Sequence, residues 1–75
     1  MTPEQSRAAR GWLGWSQTEL AEAASTGVST VKDFEGGRRK PIASTLGAMR
    51  AALERAGIAF VGGDGEALGI TFNKG

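Results

Sequence analysis

Two stretches of helical periodicity, Gln17 to Ala24 and Val28 to Glu35, are separated only by Ser25, Thr26 and Gly27. So short a connection leaves two helices no freedom to drift apart; they must cross at close range. Leu20, Ala21 and Ala24 fall on one face of the first stretch, and Val31 and Phe34 stand three residues apart in the second. Alanines on that face let the partner helix come near. The outer side of the second stretch keeps Ser29, Thr30, Lys32 and Asp33. The first stretch starts at a capping box, Ser16-Gln17-Thr18-Glu19, and the second is stopped by Gly36-Gly37. A basic loop follows, Arg38-Arg39-Lys40, closed by Pro41.

The flanking residues extend this helical body in both directions. Thr2-Pro3-Glu4-Gln5 combines an N-cap, a proline at the first helical position and the Gln of a second capping box. Ala8, Ala9, Trp12 and Leu13 then recur at helical spacing up to a stop at Gly14. Gly11 weakens that helix by about 1 kcal/mol relative to alanine. From about Ser44, Leu46, Met49, Ala52, Leu53 and Ala56 keep the period until Gly57. The pattern then changes: Ile58-Ala59-Phe60-Val61 favours a strand, Gly62-Gly63-Asp64-Gly65 is turn material, and Gly69-Ile70-Thr71-Phe72 alternates weakly. The expected fold is all-α, four to five short helices, with a short C-terminal β-hairpin. Residues 1–57 form the helical domain and residues 58–75 the hairpin tail.

Composition narrows the chemistry. A chain of 75 residues makes one small domain with a thin core, and the absence of cysteine removes disulfides and thiolate metal sites. The absence of histidine removes the usual proton shuttle, the imidazole metal ligand and the His-dependent triads. An enzyme would have to work with carboxylates, Ser/Thr or Lys, and no paired arrangement of these is visible. A binding module without metal or cofactor is expected. The net charge is only +1, yet residues 1–57 hold eight basic and six acidic side chains against one and two in the tail. No apolar run approaches the length of a membrane span and no signal-like start is present. The expectation is therefore a cytoplasmic protein, associated with the nucleoid if it binds DNA.

Trp15-Ser16-Gln17-x-x-Leu20-Ala21, followed by Thr30-Val31-x-x-Phe34-Glu35-x-Gly37-x-x-x-Pro41, resembles the Cro/repressor-like helix-turn-helix family, also called XRE. The resemblance covers residues 5 to 57, with an Ala9-Arg10 pair ahead of the motif and a Thr45-Leu46 start to the last helix. It implies a lambda-repressor-like body. The implied function is sequence-specific binding of double-stranded DNA, as a dimeric transcriptional regulator of bacterial or phage type. It also implies that Val28 to Glu35 enters the major groove while the preceding helix crosses the backbone. An ion pair between Arg10 and Glu35 is implied in the same way. The chain departs from the family at Ser25, where glycine is usual in the turn, and at Val28, where a polar residue is common.

In that frame the outer face of the second helix offers Val28, Ser29, Thr30, Lys32 and Asp33 to base edges. Arg38, Arg39 and Lys40, with Gln17 and the start of its helix, are expected on phosphates. Standing alone, the same charges would be an ordinary solvated loop and helix face. Leu20, Ala21, Val31, Phe34 and Trp15 are core residues, whereas Trp12 suits either a core or a partner surface. In the tail, Ile58, Phe60, Ile70 and Phe72 make an apolar face for which four small helices offer little cover. Pairing across a two-fold axis would bury it, so the tail is expected to be the dimer interface. The alternative is an antitoxin-like interaction module whose tail holds a different protein.

Overall fold

The computed structural model describes residues 1–61 and 69–72. The chain runs through α1 (Pro3–Leu13), α2 (Gln17–Ala23), α3 (Val28–Glu35) and α4 (Ala43–Arg55). It then forms β1 (Ile58–Val61) and β2 (Gly69–Phe72). Both capping boxes form. The Thr2 hydroxyl accepts from Gln5 N–H while Gln5 Oε1 accepts from Thr2 N–H, at 3.1 and 2.8 Å. Ser16 and Glu19 exchange the same pair of bonds at 3.0 and 2.9 Å. Two orphan donors are thereby satisfied at each helix start.

The turn between α2 and α3 resolves the Ser25 departure. Ser25 adopts φ 55°, while Gly27 sits at an ordinary φ of −78°. Thr26 N–H reaches Ala21 C=O at 2.9 Å and Ser25 N–H reaches Glu22 C=O at 3.1 Å. These two bonds are a Schellman ending, and it requires a left-handed residue where Ser25 stands. The end of α3 repeats it with glycine: Gly37 has φ 73°, and Arg38 and Gly37 N–H bond to Asp33 and Phe34 C=O at 2.9 and 3.0 Å. The serine thus carries about 1 kcal/mol of backbone strain that glycine avoids.

The four helices close around Ala9, Leu20, Ala21, Ala24, Val31, Phe34, Met49, Ala52 and Leu53, with Trp15, Leu13 and Leu46 packed against them. Helix α1 differs from the periodicity reading. Its buried face is Gln5, Ser6 and Ala9, whereas Ala8 and Trp12 are exposed, Trp12 by 63%. Polar side chains occupy that face because each finds a partner there: Gln5 Nε2 donates to Val61 C=O at 3.2 Å, and Ser6 donates to Glu35. Among the described residues no buried side-chain polar atom lacks a hydrogen bond.

The strands pair antiparallel, with Ile58 opposite Phe72 and Phe60 opposite Ile70. This register puts all four positions on one face of the hairpin. That face turns toward the helices. Ile58 is 3% exposed and belongs to the core, and Phe60 and Ile70 are half-buried against it. The expectation that Ile58 stands on a face open to a partner is therefore corrected: the hairpin folds back on its own body, tied to α1 by the Gln5 bond. Phe60 is further covered by the Arg50 guanidinium, 5.1 Å from its ring centre. The Gly62–Gly65 turn and the side chain of Phe72 lie outside the described residues. No helix among the described residues is long and apolar enough to cross a membrane.

Candidate nucleic-acid interface

One carboxylate fixes α3 to the body. The Glu35 side chain is 1% exposed at the last turn of α3. Arg10 of α1 donates to it through Nη2 to Oε1 at 2.7 Å and through Nε to Oε2 at 2.8 Å, a two-pronged contact. Ser6 of α1 donates to Oε2 at 2.5 Å and Gln17 of α2 donates to Oε1 at 3.1 Å. Arg10 Nη1 also reaches Trp15 C=O at 2.9 Å, and Arg7 Nη1 donates to the backbone carbonyl of Glu35 itself. Side chains from two helices thus converge on one residue of the third.

Burial alone pushes the Glu35 carboxyl up. Hydrogen bonds from Arg10, Ser6 and Gln17, with the Arg10 charge, more than offset burial and hold the group below its ordinary value. The hydrogen bond to Glu35 likewise raises the Arg10 guanidinium. Arg10 and Glu35 are the pair named from the sequence. Ser6, Arg7 and the Gln17–Glu35 contact escaped that reading. Ser6 leaves no trace in a hydrophobic pattern, because a buried serine at an apolar position reads as a gap. Gln17 was expected on a phosphate; its amide instead gives one N–H to Glu35, leaving the second.

With its inner side clamped, α3 presents the opposite side outward. Val31 and Phe34 are buried, Val28, Ser29 and Lys32 are exposed, and Thr30 and Asp33 are half-buried. Arg38, Arg39 and Lys40 are all exposed beyond the C-terminal turn of α3. Ser29, Thr30, Asp33, Arg39 and Pro41 line one shallow depression, so the basic loop lies alongside the outer face of α3. The structure therefore brings Ser29, Thr30 and Asp33 of the expected base-edge residues together with Arg39 of the expected phosphate residues; Lys40 lines depressions beside Met1 instead, and Gln17 is turned to Glu35.

The charges of the helical body are unevenly spent. Arg7 pairs with Glu4, Arg10 with Glu35, Arg38 with Asp33 and Arg50 with Glu54. Arg55 donates to Ala23 C=O, closing the end of α2. Among the described residues Lys32, Arg39 and Lys40 have no such partner; Lys32 is exposed on α3, Arg39 lines the depression with Ser29, Thr30 and Asp33, and Lys40 follows it in the loop, beside Met1.

No curated protein sequence matches the chain significantly. Residues 5–58 match the family model of a helix-turn-helix domain, from the capping glutamine of α1 to the first residue of β1. That span contains the α2–turn–α3 unit and every residue of the Glu35 cluster, and helix-turn-helix domains are DNA-binding units. The chain belongs to the helix-turn-helix domain family.

Proposed function

We propose that the chain binds double-stranded DNA sequence-specifically, as a dimeric transcriptional regulator with α3 in the major groove. The observation that carries this reading is the placement of Lys32, Arg39 and Lys40. Among the described residues these three cations have neither an ion-pair nor a hydrogen-bond partner, and they lie on or just beyond a clamped helix whose outer face is mostly polar. Phosphates neutralise such charges and release counterions, which supplies affinity, while base edges supply selectivity. Val28 and Ser29 lie in the first turn of α3, where a recognition helix enters deepest. Val28 suits a thymine methyl, Ser29 bonds several bases, and Lys32 donates to guanine O6 or N7. Thr30 and Asp33 border them. Arg38, Arg39, Lys40 and the free N–H of Gln17 take phosphates.

Two copies on one duplex would place their recognition helices about 34 Å apart, one turn of DNA. Because Ile58 is committed to the monomer core, self-association draws on the rest of the hairpin: Phe60, Ile70 and Phe72, the exposed Ala59, Val61 and Thr71, and the outer strand edges. The deciding experiment selects bound duplexes from a random pool and footprints the result. The expected outcome is a two-fold symmetric site with half-sites one turn apart. For about six neutralised phosphates, the log–log salt slope is near −5. An unenriched pool together with salt-independent binding refutes the reading. Enrichment of a single, asymmetric half-site refutes the dimer alone.

A further inference from the structure

Asp33 is the acidic side chain on the outer face of α3, and it faces the basic loop. Its Oδ1 lies 3.4 Å from Arg38 Nε, the side chains being 40% and 70% exposed. Its backbone carbonyl accepts from Arg38 N–H at 2.9 Å and from Arg39 N–H at 3.3 Å. Asp33 therefore holds the start of the loop by main chain and side chain together. The main-chain bonds fix where Arg38 and Arg39 begin; the side-chain pair decides whether the Arg38 charge is free. An exposed pair of this kind is weak, so it is readily exchanged. Arg38 thus differs from its neighbours, because Arg39 and Lys40 have no carboxylate to leave.

We propose that Asp33 is a specificity-determining residue that holds Arg38 in reserve and releases it to phosphate only where DNA offers Asp33 a replacement donor. This rests on the DNA-binding reading and deepens it. Once α3 is in the groove, a carboxylate there is stable against an amino group such as cytosine N4, and is repelled by guanine O6 and N7 or thymine O4. Opposite a donor, Asp33 exchanges Arg38 for the base and Arg38 gains a phosphate. Opposite acceptors the exchange leaves an unpaired carboxylate among negative atoms. The Arg38 pair then persists, and each protomer forgoes one phosphate contact. Discrimination arises by excluding wrong sequences as much as by favouring the right one.

The test measures binding of the full chain to its selected duplex and to an unrelated duplex across a salt series. The proteins compared are the wild type, Asp33→Asn, Arg38→Gln and the double variant; Arg38 is exposed and Asp33 half-buried, and melting curves check folding. Freeing Arg38 adds one phosphate contact per protomer. The slope on unrelated DNA then steepens by about 0.9, an affinity gain of about eightfold per protomer at 0.1 M salt. Asp33→Asn should show both, and its preference for the selected duplex should narrow. In the Arg38→Gln background the same substitution should leave the slope unchanged. An unaltered slope and affinity in Asp33→Asn, or equal steepening in both backgrounds, overturns the proposal while leaving DNA binding intact. A wild type that binds neither duplex at low salt overturns the DNA-binding reading itself.

Discussion

Replacing Arg10 by methionine tests the Glu35 cluster, and the structure sets both the size and the sign of the effect. Methionine keeps much of the aliphatic volume and removes the two-pronged donor. Glu35, whose side chain is 1% exposed in the wild type, is then left with two neutral donors, Ser6 and Gln17, in place of the Arg10 cation. Breaking one side of a buried pair costs about 3–5 kcal/mol, chiefly because the orphaned charge stays buried. A domain of this length has about 4–11 kcal/mol in total. At about 4–8 °C per kcal/mol the melting temperature should fall by roughly 15 °C or more.

The pH dependence should also change sign. In the wild type the Glu35 carboxyl is held below its ordinary value, so its contribution is fully present above that value. It is lost as pH falls through the lowered one. Without Arg10, burial is opposed only by the Ser6 and Gln17 hydrogen bonds, so the carboxyl is expected to rise above its ordinary value. Protonation then favours the folded state, so the variant should gain stability as pH falls from 7 toward 5, where the wild type is flat. Thermal melts followed by circular dichroism at several pH values check both effects. Arg10→Met/Glu35→Leu should recover much of the loss, since a neutral side chain no longer needs partners. A melting temperature for Arg10→Met within 2 °C of wild type, with unchanged pH dependence, would refute the reasoning.

Three further outcomes are expected. Ser25→Gly should raise stability by up to about 1 kcal/mol by relieving the left-handed serine, less what glycine adds to the unfolded chain's entropy; a lower melting temperature would contradict the strain. Ile58→Ala should cost about 2–5 kcal/mol at concentrations where the chain is monomeric, because the side chain fills the monomer's own core; a loss seen only at concentrations that support dimers would return it to an interface. Ser29→Ala or Lys32→Ala should each cost about 1–3 kcal/mol on the selected duplex and relax one base preference, whereas Arg39→Ala should weaken all sequences alike; unchanged affinity and preference in the first two would remove α3 as the reader.

What could be read from the sequence divides by the range of the interaction. Capping boxes, the short turn between α2 and α3, the glycine stops and the pairing of the two strands are local, and each formed where its residues stand. The packing of Leu20, Ala21, Val31 and Phe34 followed from spacing, because the short turn leaves their helices one way to meet. Contacts between distant elements were less visible. Nothing in the pattern of α1 marks Gln5 and Ser6 as buried, since their partners are 56 and 29 residues away. Their burial rotates α1 away from the face that Ala8 and Trp12 imply. The hairpin shows the same effect: its alternation identified the apolar face but not the helices waiting to cover it.

A net charge of +1 says almost nothing about this surface, and the reason is visible in where the acids went. Glu35 is buried, Glu4 and Glu54 are matched within their own helices by Arg7 and Arg50, and Glu19 serves the cap of α2. Each of these carboxylates has a structural task away from the outer face of α3. Among the described cations without a carboxylate partner, Lys32 and Arg39 stand on or beside that face, so the local field is more positive than the sum suggests. Asp33 is the exception, an acid kept where phosphates would arrive. On the proposed reading a carboxylate there weakens binding to DNA in general, which suits a protein that must refuse most sequences. Its position therefore argues for selectivity in a way that no count of basic residues can.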